Sequence, residues 1–96
     1  MEEQVYYTIL YDYYKNLFTL KQQSYFEDYY FNDLSLTEIG INNYVSRNAV
    51  CKQLKEIRLK LDDYEAKLCL YNNALKIKKL INNLDDDLKS KIEELI

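Results

Sequence analysis

The sequence lacks proline entirely and contains one glycine among its 96 residues. Hairpins, β-bulges and phosphate-binding loops depend on these residues, so their scarcity argues against an all-β fold and a P-loop. Histidine is also absent, which removes Ser–His and Cys–His nucleophile pairs and imidazole metal ligands. Two cysteines, Cys51 and Cys69, are too few for a zinc site made of cysteine alone. We therefore predict no catalytic site, metal or cofactor, and expect both cysteines to be reduced thiols that are buried or half-buried.

Long apolar runs are missing as well. No stretch approaches the roughly 18 apolar residues that a membrane helix needs. The start of the chain carries acids where a signal peptide carries bases, so none is predicted. These features predict a cytoplasmic protein without membrane insertion. A chain of 96 residues has room for one core, so we predict a single helical domain over residues 1–96.

The charge is distributed unevenly along the chain. The net charge is −3, but residues 1–45 carry −5, residues 46–60 carry +4 and residues 61–96 carry −2. An acidic protein can still bind a polyanion where its basic residues cluster. Residues 46–60 are therefore the predicted contact with nucleic acid.

Apolar spacing and capping residues predict helices throughout. The first helix is expected from about Glu3 to Leu17. Its apolar stripe consists of Val5, Ile9, Tyr13 and Leu17, and it is broadened by Tyr6 and Leu10. N-capping patterns mark the starts of four later helices at Thr19 with Gln22, Ser35 with Glu38, Ser46, and Asp85. The predicted fold class is an all-α helical bundle.

Residues 35–60 have the pattern of a helix-turn-helix. Its two helices cross near a right angle, so the first needs a small residue where the second approaches. Gly40 holds that position, and we expect alanine to be tolerated there because it favours helix. Val45 is expected to plug the turn. The residues predicted to hold the motif together are Leu36, Ile39, Gly40, Val45, Val50 and Leu54.

The second helix of this motif carries polar residues that suit nucleic acid. Phosphate contacts are predicted for Arg47, Lys52 and Lys55, and base-edge contacts for Asn48 and Gln53. Ser46 begins the helix, whose free N–H groups and dipole attract phosphate. The alternative is an ordinary helical corner whose charges are only solvated.

These residues resemble a known family. The run LSLTEIGINNYVSRNAVCKQLKEI, with LYDYYKNLFTLKQQSYFEDYYFNDL before it and LDDYEAKLCLY after it, closely resembles the small bacterial YlxM/p13-like proteins of the UPF0122 family, over roughly residues 6–81. The resemblance implies an all-helical fold with a helix-turn-helix similar to region 4 of bacterial sigma factors, within the winged-helix-like class of DNA-binding domains. Genes of the family tend to lie beside those of the signal recognition particle GTPase and its receptor, which suggests a regulatory role in that pathway.

Two positions depart from the family pattern. Cys51 stands where the family usually has an aromatic residue, and Tyr44 stands where the turn usually carries glycine or asparagine. If the turn needs a positive φ, either Tyr44 is strained or the turn has shifted by one residue.

An apolar heptad seam continues beyond the motif, from Val50 to Leu75. Asp62 followed by Glu65 is a further capping pattern, so one interpretation places a break or kink near Leu61. We predict that the C-terminal helices, residues 61–96, form a homodimer. The alternative is that the seam folds back onto the first two helices. The predicted dimer residues are Leu61, Tyr64, Leu68, Tyr71 and Leu75.

Two functions follow from the sequence. The first is a nucleic-acid-binding regulatory protein, whose ligand is DNA, as the motif suggests, or the signal recognition particle RNA, as the gene neighbourhood suggests. The second is a protein-binding accessory factor. Its acidic, tyrosine-rich first half would then bind a basic partner such as the targeting GTPase or its receptor.

Overall fold

The computed structural model describes residues 1–96 and is helical throughout, which confirms the predicted fold class. A short 3-10 turn, Lys15–Leu17, follows the first helix. None of the helices combines the length and the apolar character needed to cross a bilayer. The helices are α1 (Glu3–Tyr14), α2 (Leu20–Tyr30), α3 (Leu36–Asn43), α4 (Arg47–Leu68), α5 (Leu70–Leu80) and α6 (Asp86–Glu93).

The predicted N-caps begin their helices. The Thr19 hydroxyl accepts the Gln22 N–H at 3.1 Å, and the Gln22 side chain accepts the Thr19 N–H at 2.9 Å. Ser35 and Glu38 form the same reciprocal pair at the start of α3. The Asp85 carboxylate caps α6. Each cap satisfies N–H groups that have no partner inside the helix.

One core forms where α1, α2, α3 and the first half of α4 meet. Aromatic rings fill much of it, and the Tyr11 and Phe26 rings stack with centroids 4.1 Å apart. The Tyr11 hydroxyl donates to the Glu27 carboxylate, so the buried ring keeps a polar partner. The buried residues are Leu10, Tyr11, Tyr14, Phe18, Tyr25, Phe26, Ile39, Val50, Leu54, Ile57 and Leu61.

The buried face of α1 differs from the predicted stripe. Leu10 is buried as predicted, but Val5 and Leu17 are exposed. Tyr11 and Tyr14, which the predicted stripe did not include, are buried. Tyrosines on several sides of α1 create more than one stripe with helical spacing. Packing against α2 and α4 selects the stripe, and this information is absent from the spacing.

The long helix ends at Leu68, and the interpretation that placed a break near Leu61 is wrong. Leu61 lies fully buried in an uninterrupted turn of α4. The break comes at Cys69, which adopts the left-handed conformation with φ 55° and ψ 28°. Helix α5 begins at the next residue, Leu70. Cys69 is half-buried as predicted, but Cys51 is exposed on α4, so that part of the prediction is wrong.

Glu65 caps α5 from the preceding helix. Its carboxylate accepts the N–H of Tyr71 at 3.1 Å and of Asn72 at 2.9 Å. The Tyr14 hydroxyl donates to the same carboxylate at 2.5 Å and accepts the Leu70 N–H at 3.1 Å. We call this arrangement the Glu65 clamp. It satisfies the first three N–H groups of α5, which explains how a helix can begin directly after a left-handed cysteine.

Residues 70–96 form an arm that leaves the core. Ala74 and Ile81 are the buried residues of this segment. The molecule measures 52 × 25 × 24 Å, and its radius of gyration is 16.5 Å. A compact chain of this length would have a radius of gyration of about 12.5 Å. The arm therefore gives the molecule its elongated shape.

Candidate nucleic-acid interface

The turn between α3 and α4 is built on Tyr44, whose φ is 58° and ψ is 39°. The Tyr44 N–H donates to the Ile41 carbonyl at 3.3 Å, and the Val45 N–H donates to the Gly40 carbonyl at 2.9 Å. These are the two hydrogen bonds of a Schellman motif. Tyr44 occupies its left-handed position, so the turn has not shifted. Such a conformation costs a residue other than glycine about 1 kcal/mol or more.

Gly40 faces the backbone of this turn. A Cβ atom added there would lie 2.7 Å from the Val45 carbonyl oxygen and 3.3 Å from the Ser46 carbonyl carbon. Backbone atoms held by the Schellman motif cannot move aside as a flexible side chain would. The expectation that alanine is tolerated at Gly40 is therefore wrong.

The apolar residues assigned to the motif do not all lie in its interior. Ile39, Val50 and Leu54 are buried in the core, and Leu36 is half-buried against it. Val45 remains 39% exposed, so the expectation that it plugs the turn is wrong. The left-handed residue before it brings the carbonyl oxygen of Val45 to α3, and its side chain stays outside.

Ser46 caps α4. Its hydroxyl oxygen accepts the Ala49 N–H at 3.0 Å, and its carbonyl accepts the Val50 N–H. The N–H groups of Arg47 and Asn48 have no partner within the chain. The start of α4 therefore offers free donors at the positive end of the helix dipole.

Three predicted contact residues lie together on α4. Asn48, Lys52 and Lys55 are exposed and fall within about 60° of one another around the helix axis. We call them the α4 face. Arg47 is exposed on one flank of this face. Gln53 is half-buried on the other flank, about 100° from Lys52. Gln53 therefore does not share a surface with the lysines.

The basic residues of this surface are not neutralised by acids of the chain. The three ion pairs of the molecule join Lys15 to Glu27, Lys67 to Asp63 and Lys91 to Asp87. None of them includes Arg47, Lys52 or Lys55. Arg58, in contrast, is half-buried and donates to the Tyr30 hydroxyl at 3.2 Å. The positive charge of the α4 face is therefore available to an external anion.

Lys21 lies beside the turn, although sequence reasoning did not select it. Its ammonium group donates to the Asn43 side-chain oxygen at 3.2 Å, across 22 residues of sequence. The same group lies 5.4 Å from the centre of the Tyr25 ring. No local pattern identifies this residue, because only the packing of α2 against α3 brings it to the turn.

Comparison with known proteins identifies the family. The family model UPF0122, described as "Putative helix-turn-helix protein, YlxM / p13 like", matches residues 1–96. The chain belongs to this family. The UPF0122 protein of Geobacillus sp. (strain WCH70) is 44% identical over 85 residues, covering 88% of this chain and 77% of the relative. The relative from Malacoplasma penetrans is 43% identical over 94 residues, covering 92% and 88%.

YlxM of Bacillus subtilis (strain 168) is 39% identical over 85 residues, covering 88% of this chain and 77% of the relative. With the family model, these similarities confirm the resemblance seen in the sequence. The family description names a helix-turn-helix. In the structure, the segment for which the sequence predicts this motif consists of α3, the Tyr44 turn and the start of α4.

In this UPF0122 chain the proposed dimer seam does not form one continuous surface. Leu61 is fully buried, and Tyr64 and Tyr71 pack against the core. Leu68 and Leu75 are 49% and 41% exposed. Three of the five predicted dimer residues therefore pack within the chain, and Leu68 and Leu75 are the two that remain on the surface.

Proposed function

We propose that this protein binds duplex DNA through α4 and acts as a regulatory protein. The observation that carries the proposal is the α4 face, which is exposed, free of ion pairs and located at the start of the second motif helix. In helix-turn-helix proteins this helix lies in the major groove, with its N-terminal residues at the base edges.

The roles within the interface follow from side-chain chemistry. Arg47, Lys52 and Lys55 contact phosphates, which supply most of the affinity. Asn48 reads a base edge, since its amide can pair with the N6 and N7 atoms of adenine. Gln53 has no role here because it lies half-buried on the far flank.

The shape of the site favours DNA over double-stranded RNA. The major groove of B-DNA admits a helix, whereas that of A-form RNA is too deep and narrow. A role in the signal recognition particle pathway rests on the gene neighbourhood of the family. The RNA of that particle is therefore the second ligand to test, and its binding through phosphates alone would depend steeply on salt.

The proposal includes a homodimer in which the second copy packs on the arm. Apolar residues of the arm stay exposed, and a cluster of lysines and an unpaired acid lie at different positions along it. Lys76, Lys78 and Lys79 lie in the second half of α5, and Asp86, which forms no ion pair, lies in the first turn of α6. Two arms packed antiparallel would bring these opposite charges together and cover the leucines. Such a dimer would present two α4 faces to two half-sites.

The test measures binding by fluorescence anisotropy at two salt concentrations, with duplex DNA and with the particle RNA. Lys52→Ala and Lys55→Ala are each expected to lower affinity and to reduce the salt slope by about one unit. Asn48→Ala should weaken binding to a preferred sequence without changing that slope. Lys60→Ala is the matched control, because Lys60 is an exposed lysine of α4 that forms no ion pair and lies about 120° from Asn48 around the helix axis.

The outcomes separate the candidate functions. Equal affinities and slopes for the parent, Lys52→Ala and Lys55→Ala would contradict the assignment of the α4 face. Binding to neither nucleic acid at low salt would instead support a protein-binding accessory factor that contacts the targeting GTPase or its receptor.

A further inference from the structure

Tyr44 stands apart from the other tyrosines. The chain contains 11 tyrosines, and ten of them are buried or half-buried. Tyr44 is 96% exposed. The hydroxyls of Tyr7, Tyr11 and Tyr14 have hydrogen-bond partners in the chain, whereas that of Tyr44 has none. The ring therefore contributes no packing or hydrogen bond to the folded chain.

The backbone at Tyr44 makes this residue type costly. Its φ of 58° lies in the left-handed region, which glycine adopts freely and asparagine tolerates. Either would fit the Schellman motif with less strain. A strained residue whose side chain does nothing for the fold indicates that the side chain serves an external contact.

The surroundings of Tyr44 indicate what that contact is. Arg47, with its unpaired charge, begins α4 three residues later. On the other side, Asn43 is held by the exposed ammonium group of Lys21, which forms no ion pair. An exposed hydroxyl donor in a turn that also carries Arg47 and contacts Lys21 is suited to a phosphate strand.

We propose that Tyr44 and Lys21 form a second DNA contact beside the α4 face. The Tyr44 hydroxyl donates to a phosphate oxygen at the edge of the groove, and its ring packs on the adjoining deoxyribose. The Lys21 ammonium neutralises a neighbouring phosphate. This inference rests on the proposed binding of duplex DNA and adds a contact outside the recognition helix.

The experiment combines duplex-DNA affinity with thermal stability. Tyr44→Gly should raise the melting temperature by a few degrees, because it relieves backbone strain, and should weaken binding roughly tenfold. Tyr44→Phe should weaken binding roughly threefold to fivefold at an unchanged salt slope, because it removes a neutral donor. Lys21→Gln keeps a donor for Asn43 and should reduce the salt slope by about one unit.

Val45→Ala is the matched control, since it changes an exposed side chain in the same turn, and it should bind like the parent. If Tyr44→Gly keeps the parent's affinity while Lys52→Ala loses it, the second contact is wrong and the proposed function stands. If the parent does not bind duplex DNA, both are overturned. A Tyr44→Gly protein that binds weakly and also melts lower would overturn the inference, because the ring would then support the fold.

Discussion

Asp33, Tyr44 and Cys69 hold left-handed backbone conformations, and each lies where the chain reverses or breaks a helix. The single glycine is not used in this way, since Gly40 lies inside α3 with a negative φ. The role of Gly40 is to let the backbone of the turn approach α3 closely. The scarcity of glycine therefore does not predict a scarcity of left-handed turns, because residues other than glycine adopt the left-handed conformation here.

Replacing Gly40 by alanine is expected to destabilise the protein by about 1–3 kcal/mol, because the new Cβ collides with backbone. The gain in helix propensity, about 0.5–1 kcal/mol, is too small to offset this. Urea unfolding measures the difference. Asn42→Ala is the control, since it adds a helix-favouring residue at an exposed position of the same helix. Equal stability of Gly40→Ala and the parent would mean that the turn can shift away from α3.

Stability is also expected to depend on pH through the tyrosines. Burial and the hydrogen bond to Glu65 raise the pKa of Tyr14 to about 12 from its usual value near 10. The folded state therefore favours the neutral phenol. The stability that the neutral Tyr14 phenol contributes to the folded state is complete below pH 10, and it is lost as pH rises through about 12.

Urea unfolding of the parent and of Tyr14→Phe at several pH values between about 8 and 12 tests this expectation. The parent should lose stability more steeply above about pH 10, because Tyr14→Phe cannot ionise there. Tyr44→Phe removes an exposed hydroxyl and should follow the parent. Parallel curves for the parent and Tyr14→Phe would contradict the assignment.

At the scale of the helices, what the sequence predicts depends on how local the signal is. The caps of α2, α3, α4 and α6 were predictable, because each capping side chain accepts the backbone N–H group of the residue three positions later. The start of α5 was not, because its caps come from Glu65 and from Tyr14, 56 residues before Leu70. The contact of Lys21 with the turn was hidden for the same reason.

Removing the Glu65 clamp should loosen α5 while leaving the core folded. Glu65→Ala leaves the Tyr71 and Asn72 N–H groups uncapped, and we expect a cost of about 1–3 kcal/mol. Hydrogen exchange at residues 70–72 should accelerate, whereas exchange at Ile57 should change less. Glu56→Ala, an exposed acid on α4, is the control. Unchanged exchange at residues 70–72 would show that α5 begins without this cap.

At the scale of the whole molecule, the heptad seam was ambiguous because packing within a chain and between chains requires the same apolar repeat. The structure buries Leu61, packs Tyr64 and Tyr71 against the core, and leaves Leu68 and Leu75 on the surface. The packing of α1 against α4 and α5 decides which seam residues are buried. The sequence alone could not provide this packing.

The proposed dimer predicts a change of mass when the accessible leucines become charged. Leu68→Lys and Leu75→Lys should each yield monomers, because each removes apolar area that the second copy would cover and places an unpaired charge in the interface. Light scattering over about a hundredfold range of concentration measures this. Leu20→Lys makes the same change at an exposed position of α2, and its mass in solution should equal that of the parent. A parent that is monomeric at every concentration would contradict the dimer.

The Glu65 clamp also leads us to expect an order of folding. Its Tyr14 bonds join α1 to Glu65 of α4 and Leu70 of α5, so the complete clamp can form only after α1 has packed on α4. The arm therefore acquires its direction last during refolding and loses it first during unfolding. In pulse-labelling experiments, the amides of residues 70–72 should gain protection after those of the buried half of α4. We therefore expect the arm to be the last part of the molecule to reach its native structure.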